Sequence, residues 1–277
     1  MKIEELKARS HWLRKELFEM VVRTKKGHFP SSSSITEVVV ALYYGGYLRV
    51  DPKNPRHPDR DRLFVSKGHA GMAIYPILED LGFVPKGELA KFTKADGLFR
   101  FYPDTSIPGV EAISGSLGHG LGIAAGHAIA AKREGRKYRT FAVISDGECY
   151  EGSTWETAMF VAHQQLDNLV AIVDRNGCCI LDHTEKCVRQ EPFEDKWAAF
   201  GWHVLRSDGH SFAELTRALD EALSGRITGK PIAIISRGVK GKGVSFMENK
   251  PGWHNRMPTD AEIQQARTEL ATNCITS

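Results

Sequence analysis

At 277 residues the chain is long for one domain and short for two, so one large α/β unit with a tail is its natural organisation. Hydrophobic residues at 42% and charged residues at 26% exclude a disordered or membrane-embedded chain. The net charge of +3 comes from bases scattered among acids, with no arginine-rich arm or basic stripe, which argues against a nucleic-acid partner.

In chain order, Ile3, Leu6, Leu13, Leu17 and Met20 form a helical stripe among charges, unlike the apolar core of an export signal. No apolar run is long enough to cross a bilayer, and a cytoplasmic location is expected. The serine run Ser31 to Ser34 reads as a loop and helix cap before an apolar helix from about Ile35 to Tyr47. Arg62 to Ser66 is a short strand delivering Lys67-Gly68-His69-Ala70-Gly71, with Met72 to Leu81 helical. A glycine-rich loop, Ser114 to Gly122, precedes a helix from about Leu121 to Arg133; its N–H groups and the helix N-terminus suit a phosphate, although close helix packing would also explain the glycines.

Thr140 to Ser145 and Asn168 to Asp174 are buried strands with a helix, Ser153 to Gln165, between them. Strands near Trp202 to Arg206 and Pro231 to Ser236 flank a helix at Phe212 to Leu223. The fold class is therefore α/β, a mostly parallel sheet with helices on both faces. Residues 1–258 form the α/β domain and 259–277 a helical, partly exposed tail. The five cysteines show no CxxC pairing and are expected to be reduced thiols.

Loops at the carboxyl ends of parallel strands converge, so Asp146 and Asn176, thirty positions apart, should lie side by side. A carboxylate and an amide oxygen, helped by a backbone carbonyl near Cys178, suit a hard divalent ion such as Mg²⁺ that keeps phosphate oxygens in its shell. Aspartate after a strand also caps helices and Asn-Gly is a common turn, so the pair alone admits a purely structural reading. His28, His69 and His254 each neighbour a glycine in a turn, or lie one residue beyond one, where imidazole can serve phosphate or hydroxyl oxygens; a lone histidine is more often a core or surface residue, but three such turns together point to one anion.

The run from Asp146-Gly147 to Asn176 resembles the thiamine diphosphate motif, with Ser145 replacing its first glycine. Six segments in order resemble the N-terminal half of transketolase: KGHFP at 26–30, RDRLFVSKGHAGM at 60–72, PGVEAISGSLGHGLG at 108–122, SDGECYEGSTWE at 145–156, LDNLVAIVDRNG at 166–177 and GVKGKGVSFMENKPGWH at 238–254. The resemblance implies a diphosphate-binding domain with Asp146, Asn176 and the Cys178 carbonyl on Mg²⁺, or on Ca²⁺ or Mn²⁺. It implies that His69, Gly147 and His254 face the diphosphate, that Gly115 and Leu117 lie against the thiazolium, and that His28 and His69 face the substrate. Glu151 matches the family glutamate that couples two cofactor sites across an interface.

Two positions depart from the family pattern: Tyr102 stands where a donor-contacting histidine is usual, and His119 where glutamine is common. The pyrimidine-binding domain that follows in transketolase has no counterpart here. The resemblance thus implies the N-terminal subunit of a split transketolase, inactive alone, paired with a C-terminal subunit in an α₂β₂ heterotetramer and moving a two-carbon ketol unit from a ketose, phosphorylated in the favoured reading, to an aldose. His28, His69, His254 and Tyr102 are its catalytic candidates. The competing readings are a subunit of another thiamine enzyme, 1-deoxyxylulose-phosphate-synthase-like or oxo-acid-processing, and a non-catalytic diphosphate-binding relative.

Overall fold

A computed structural model of the chain describes residues 2–272. Cys274 and the end of the expected tail lie outside the described residues. In chain order the elements are α1 (Ile3–Thr24), α2 (Phe29–Ser33), α3 (Thr36–Tyr44), β1 (Arg62–Val65), α4 (Tyr75–Leu81), α5 (Gly120–Arg133), β2 (Thr140–Ser145), α6 (Gly152–His163), β3 (Leu169–Arg175), α7 (Thr184–Cys187), α8 (Phe193–Ala199), β4 (His203–Asp208), α9 (Phe212–Leu223), β5 (Ile232–Arg237) and α10 (Asp260–Thr272).

The strands form one five-stranded parallel sheet in the order β1-β2-β3-β5-β4. Parallel strands need both faces covered, which is why β2 and β3 are buried at every residue. Alternate side chains supply two cores. Phe141, Val143, Val170, Ile172, Ile232 and Ile234 face α1, α3 and α9, with α10 joining through Ala266 and Leu270. Phe64, Ile144, Val173 and Ile235 face α5, α6 and α8 on the other side. There a row of alanines, Ala142, Ala171 and Ala233, runs in register across three strands, and its spare volume is filled by Phe193, Trp197 and Trp202.

The serine run differs from the expected loop: Phe29–Ser33 is a helical turn with Pro30 in its first positions. Ser33 Oγ donates back to the Pro30 carbonyl at 3.2 Å and Ser32 Oγ to the Ala70 carbonyl at 3.4 Å, which gives both buried hydroxyls a partner. The helix expected from Met72 begins later, at Tyr75, because Gly68–Ile74 winds more tightly as a 3₁₀ turn. Helices α7 and α8, which have no apolar periodicity long enough to read, fold back over the segment after β3.

The edges of the sheet are short or charged. β1 has four residues, and on β4 the Arg206 side chain projects toward solvent and pairs with Glu194 at 3.4 Å, while the Asp208 N–H donates to Glu214 at 2.8 Å. Among the described residues no helix is long and apolar enough to cross a membrane.

One buried ion pair fastens α1 to α3. Arg14 Nη2 donates to both Glu37 oxygens at 2.5 and 2.6 Å. His210 Nε2 accepts from the Val239 N–H at 2.9 Å, so its Nδ1–H donates to Glu37, also at 2.9 Å. This network borders a cavity of about 810 Å³ lined by α1, α10, the turn from β4 into α9 and the segment after β5. Burial alone would raise the Glu37 carboxyl, but Arg14 and His210 hold it down at about 2. A carboxylate depressed in the folded state stabilises above its unfolded pKa and loses that contribution as pH falls through its native value. The Glu37 contribution should therefore disappear between about pH 4.5 and pH 2. Urea midpoints measured across that window should fall less steeply for Glu37→Gln, which starts lower at pH 7; parallel curves would remove the pair from the acid response.

Candidate functional site

The parallel sheet brings the carboxyl ends of β1, β2, β3 and β5 to one edge, and the turns leaving them hold the polar residues. After β1 comes Lys67, only 1% exposed, whose ammonium donates to the Asp174 carboxylate at the end of β3. Ser34, between α2 and α3, donates to the same oxygen at 2.7 Å. Gly68 lies so close to the glycine-rich loop that an added Cβ would come within 1.8 Å of the Ser114 carbonyl oxygen, so only glycine fits. Glu148, fully buried after β2, accepts from the Ser66 hydroxyl and from the Gly118 N–H at 2.9 Å, which ties three turns together.

Asp146 meets the residues on either side of Asn176. Asp146 Oδ2 accepts from the Gly177 N–H at 2.7 Å and from Arg175 at 3.1 Å, while Oδ1 accepts from the Gly147 N–H at 2.8 Å. Burial and the nearby Asp174 charge push its carboxyl up to about 6, against the pull of Arg175 and the two N–H groups. Asn176 donates through Nδ2 to Asp174 at 2.7 Å, which fixes its Oδ1 on the side of the Cys178 N–H, 3.1 Å away. The Cys178 carbonyl oxygen lies 3.9 Å from where a Cβ on Gly147 would be.

Among the described residues no group of three or more His, Cys, Asp or Glu side chains is arranged to hold a metal. The Asp146, Asn176 and Cys178 set is of another kind, one carboxylate, one amide oxygen and one backbone carbonyl. Each carboxylate oxygen accepts about two hydrogen bonds. Oδ1 of Asp146 has one in place, so the set fits a hard cation that needs further oxygens from elsewhere.

His28, His69 and His254 form one cluster, with ring centroids 5.0 to 5.3 Å apart. Burial, then the Lys240 charge, lowers His28 to about 4 and His254 to about 3; burial followed by Lys67 drives His69 well below the ordinary value. All three are therefore neutral at pH 7. The His28 Nδ1 is buried without a hydrogen-bond partner. Lys240, 2% exposed, links this cluster to the Asp146 side: its Nζ reaches the Cys179 carbonyl at 3.2 Å and His254 Nδ1 at 3.0 Å. Burial and the Lys67 charge lower the Lys240 ammonium to about 8, a cation poorly compensated by this chain alone. An anion is the chemistry that two buried lysines and an unpartnered imidazole nitrogen fit.

The remaining candidates take different positions. Tyr102 stacks edge-on against Phe101, 5.0 Å between centroids, and Phe101 packs on His28 at 5.3 Å, which puts Tyr102 at the rim of the cluster. Gly115 is exposed, with nothing within 4 Å of where a Cβ would stand, and Leu117 is half-buried beside it. Glu151 stands at the N-cap position of α6 without a capping side-chain hydrogen bond and is exposed. Sequence reasoning missed Lys67, Lys240, Asp174, Arg175 and Glu148. The available signal was a lysine set among glycines just after a strand, in SKGH and VKGKG, where a long cation has no helix face to lie on.

Residues 9–276 match the family described as transketolase, thiamine diphosphate binding domain. The chain is 38% identical over 271 residues to one of the subunits of an apulose-4-phosphate transketolase from Phocaeicola vulgatus, covering 98% of this chain and 95% of that one. It is also 38% identical over 267 residues to a 6-deoxy-6-sulfo-D-fructose transketolase subunit from a Clostridium strain, 96% of each. The crystal structure of Campylobacter jejuni transketolase superposes with a TM-score of 0.89 at 27% identity, covering all of this chain, which spans 44% of that longer one. With its sheet edge, its turns and nearly its whole length in agreement, the chain belongs to the transketolase family, as the thiamine diphosphate-binding domain.

Proposed function

We propose that the chain is the diphosphate-binding subunit of a two-chain transketolase, which moves a two-carbon ketol unit from a ketose donor to an aldose acceptor. The observation that carries this reading is Lys240, whose ammonium joins the Asp146 and Asn176 turns to the histidine cluster across one strand-end edge. Asp146, Asn176 and the Cys178 carbonyl would hold Mg²⁺, and Ca²⁺ or Mn²⁺ meet the same donors. Lys240, His69, His254 and the N–H groups around Gly147 would take the diphosphate, with Gly115 and Leu117 against the thiazolium.

When bound, thiamine diphosphate supplies the nucleophilic carbon and the electron sink for carbon–carbon cleavage. The chain's own part is binding, orientation and proton handling. Neutral His28, His69 and His254 can each donate one N–H to a substrate oxygen as charge develops on it. With Nδ1 accepting from Lys240, His254 offers its Nε2 proton. Tyr102 at the rim would select the donor through a hydroxyl rather than an imidazole.

The relatives named as subunits are matched over nearly their whole lengths, which supports a partner chain carrying the pyrimidine half. An α₂β₂ heterotetramer is the simplest closed arrangement, with Glu151 at the interface. The sugars in those relatives' names are a 4-phosphate and a 6-sulfo compound, which favours a donor with an anionic end, a phosphorylated ketose in this chain.

Calorimetric titration of thiamine diphosphate with Mg²⁺, into the chain alone and mixed with its partner, tests the assignment. Asp146→Ala should weaken binding by more than about 100-fold, beyond the cost of outer-shell changes; unchanged affinity would refute the metal set. Gly115→Ala, whose methyl meets open space, should keep the melting temperature yet weaken cofactor binding. Tyr102→His should change the ratio of kcat/KM between donors while leaving cofactor affinity in place, and the opposite pattern would move Tyr102 out of the donor site.

A further inference from the structure

The segment after Asn176 carries Cys178, Cys179 and Cys187 within ten residues of one another. We propose that Cys179 and Cys187 are a redox modification site, a reversible disulfide that controls capture of the metal and diphosphate. The control rests on the function proposed above; the modification itself does not.

The two sulfurs are 3.5 Å apart and both residues are half-buried. A disulfide requires about 2.05 Å, so the atoms must close by roughly 1.5 Å. Both backbones can give. Cys179 sits in a tight turn, its N–H bonded to the Asp182 carbonyl at 3.0 Å, and Cys187 ends the four-residue helix α7. The turn's tip is at the surface, with Leu181 83% exposed, so a small oxidant can reach it. Among the described residues the other thiols are committed elsewhere: Cys149 is buried against the Ser145 carbonyl, and Cys178 lies 3.6 Å from His183 Nδ1.

Cys179 is also mechanically part of the site. Its Cβ and Cα lie 3.3 and 3.6 Å from where a Cβ on Gly147 would be, and its carbonyl accepts from Lys240. The Cys178–Cys179 peptide is planar, so drawing Cys179 toward α7 turns the Cys178 carbonyl, one of the three metal donors, out of line.

The chemistry balances with a peroxide as oxidant. One thiol attacks hydrogen peroxide, the O–O bond breaks, and a sulfenic acid and one water result. The second sulfur displaces the sulfenic oxygen, which leaves as a second water with the proton of the second thiol. Two thiols are oxidised and one peroxide is reduced to two waters; a dithiol reverses the reaction.

The test treats the full chain with hydrogen peroxide and maps it by mass spectrometry after non-reducing trypsin digestion. The peptide NGCCILDHTEK (176–186) should appear joined to CVR (187–189), lighter by two hydrogens than the sum of the two and separated again by dithiothreitol. The link should survive Cys178→Ser and be absent from Cys187→Ser. Mg²⁺-dependent affinity for thiamine diphosphate should drop by about tenfold or more in the oxidised chain, the scale of a displaced metal support, and stay constant in Cys187→Ser given the same treatment. A CVR peptide that remains reduced, or a bridge through Cys178, would overturn the site. A bridge that leaves affinity unchanged would overturn the control. If the reduced chain with its partner takes up no cofactor, the functional reading fails instead, and the peptide map still decides the disulfide.

Discussion

The ammonium of Lys67 inside the protein is the constraint on which the site depends. Taking such a charge out of water costs several kcal/mol unless a partner meets it with good geometry. The partner is Asp174, 107 positions away in the chain. It is in place only because β1, β2 and β3 run parallel in fixed register, with Ser145 opposite Asp174 and the Ser66 N–H reaching across to Val143. Ser34 is drawn in from α2 and α3 by the same carboxylate, and Asn176 is oriented by donating to it. One ion pair therefore positions the Asn176 amide, whose oxygen meets the Cys178 N–H, and closes the strand ends against the first helices.

Charge in the site is unbalanced in a directed way. Lys67 is compensated, whereas Lys240 meets a carbonyl and an imidazole and has its pKa lowered. The excess is felt by the histidines, which it helps to hold neutral well below pH 7. An anion placed among these groups would favour their charged forms and move the same values upward. The lysines and imidazoles are thus coupled by proximity: Lys240 acts on all three imidazoles and Lys67 on His69 and His254.

The strands were legible because parallel, doubly covered strands are continuous apolar runs: TFAVIS occupies the expected residues, and the expected 168–174 strand lies at 169–175. Asp146, Asn176 and the three histidines were legible because each stands in a turn at a strand end or beside glycine, where spacing along the chain maps directly onto one edge of the sheet. Lys67 and Lys240 carried one local signal, a lysine among glycines after a strand, but their burial is decided by a carboxylate or carbonyl far away in the chain. The serine run misled for a related reason. Serine favours caps and loops in isolation, but here the hydroxyls are buried and find partners at Pro30, Ala70 and Asp174, so tertiary packing overrode local preference. Helices α7 and α8 escaped because a four- or seven-residue helix is too short to show a period.

The two free margins of the sheet have a consequence for association. An open strand normally templates another, and long flat margins recruit a second copy by continuing the ladder. Here β1 offers four residues, while β4 turns a charged Arg206 outward and has its Asp208 N–H occupied by Glu214. Neither margin offers a long, flat ladder for sheet extension. That favours docking on helices and turns, with specificity written in side-chain shape rather than in backbone hydrogen bonds that any extended peptide could satisfy.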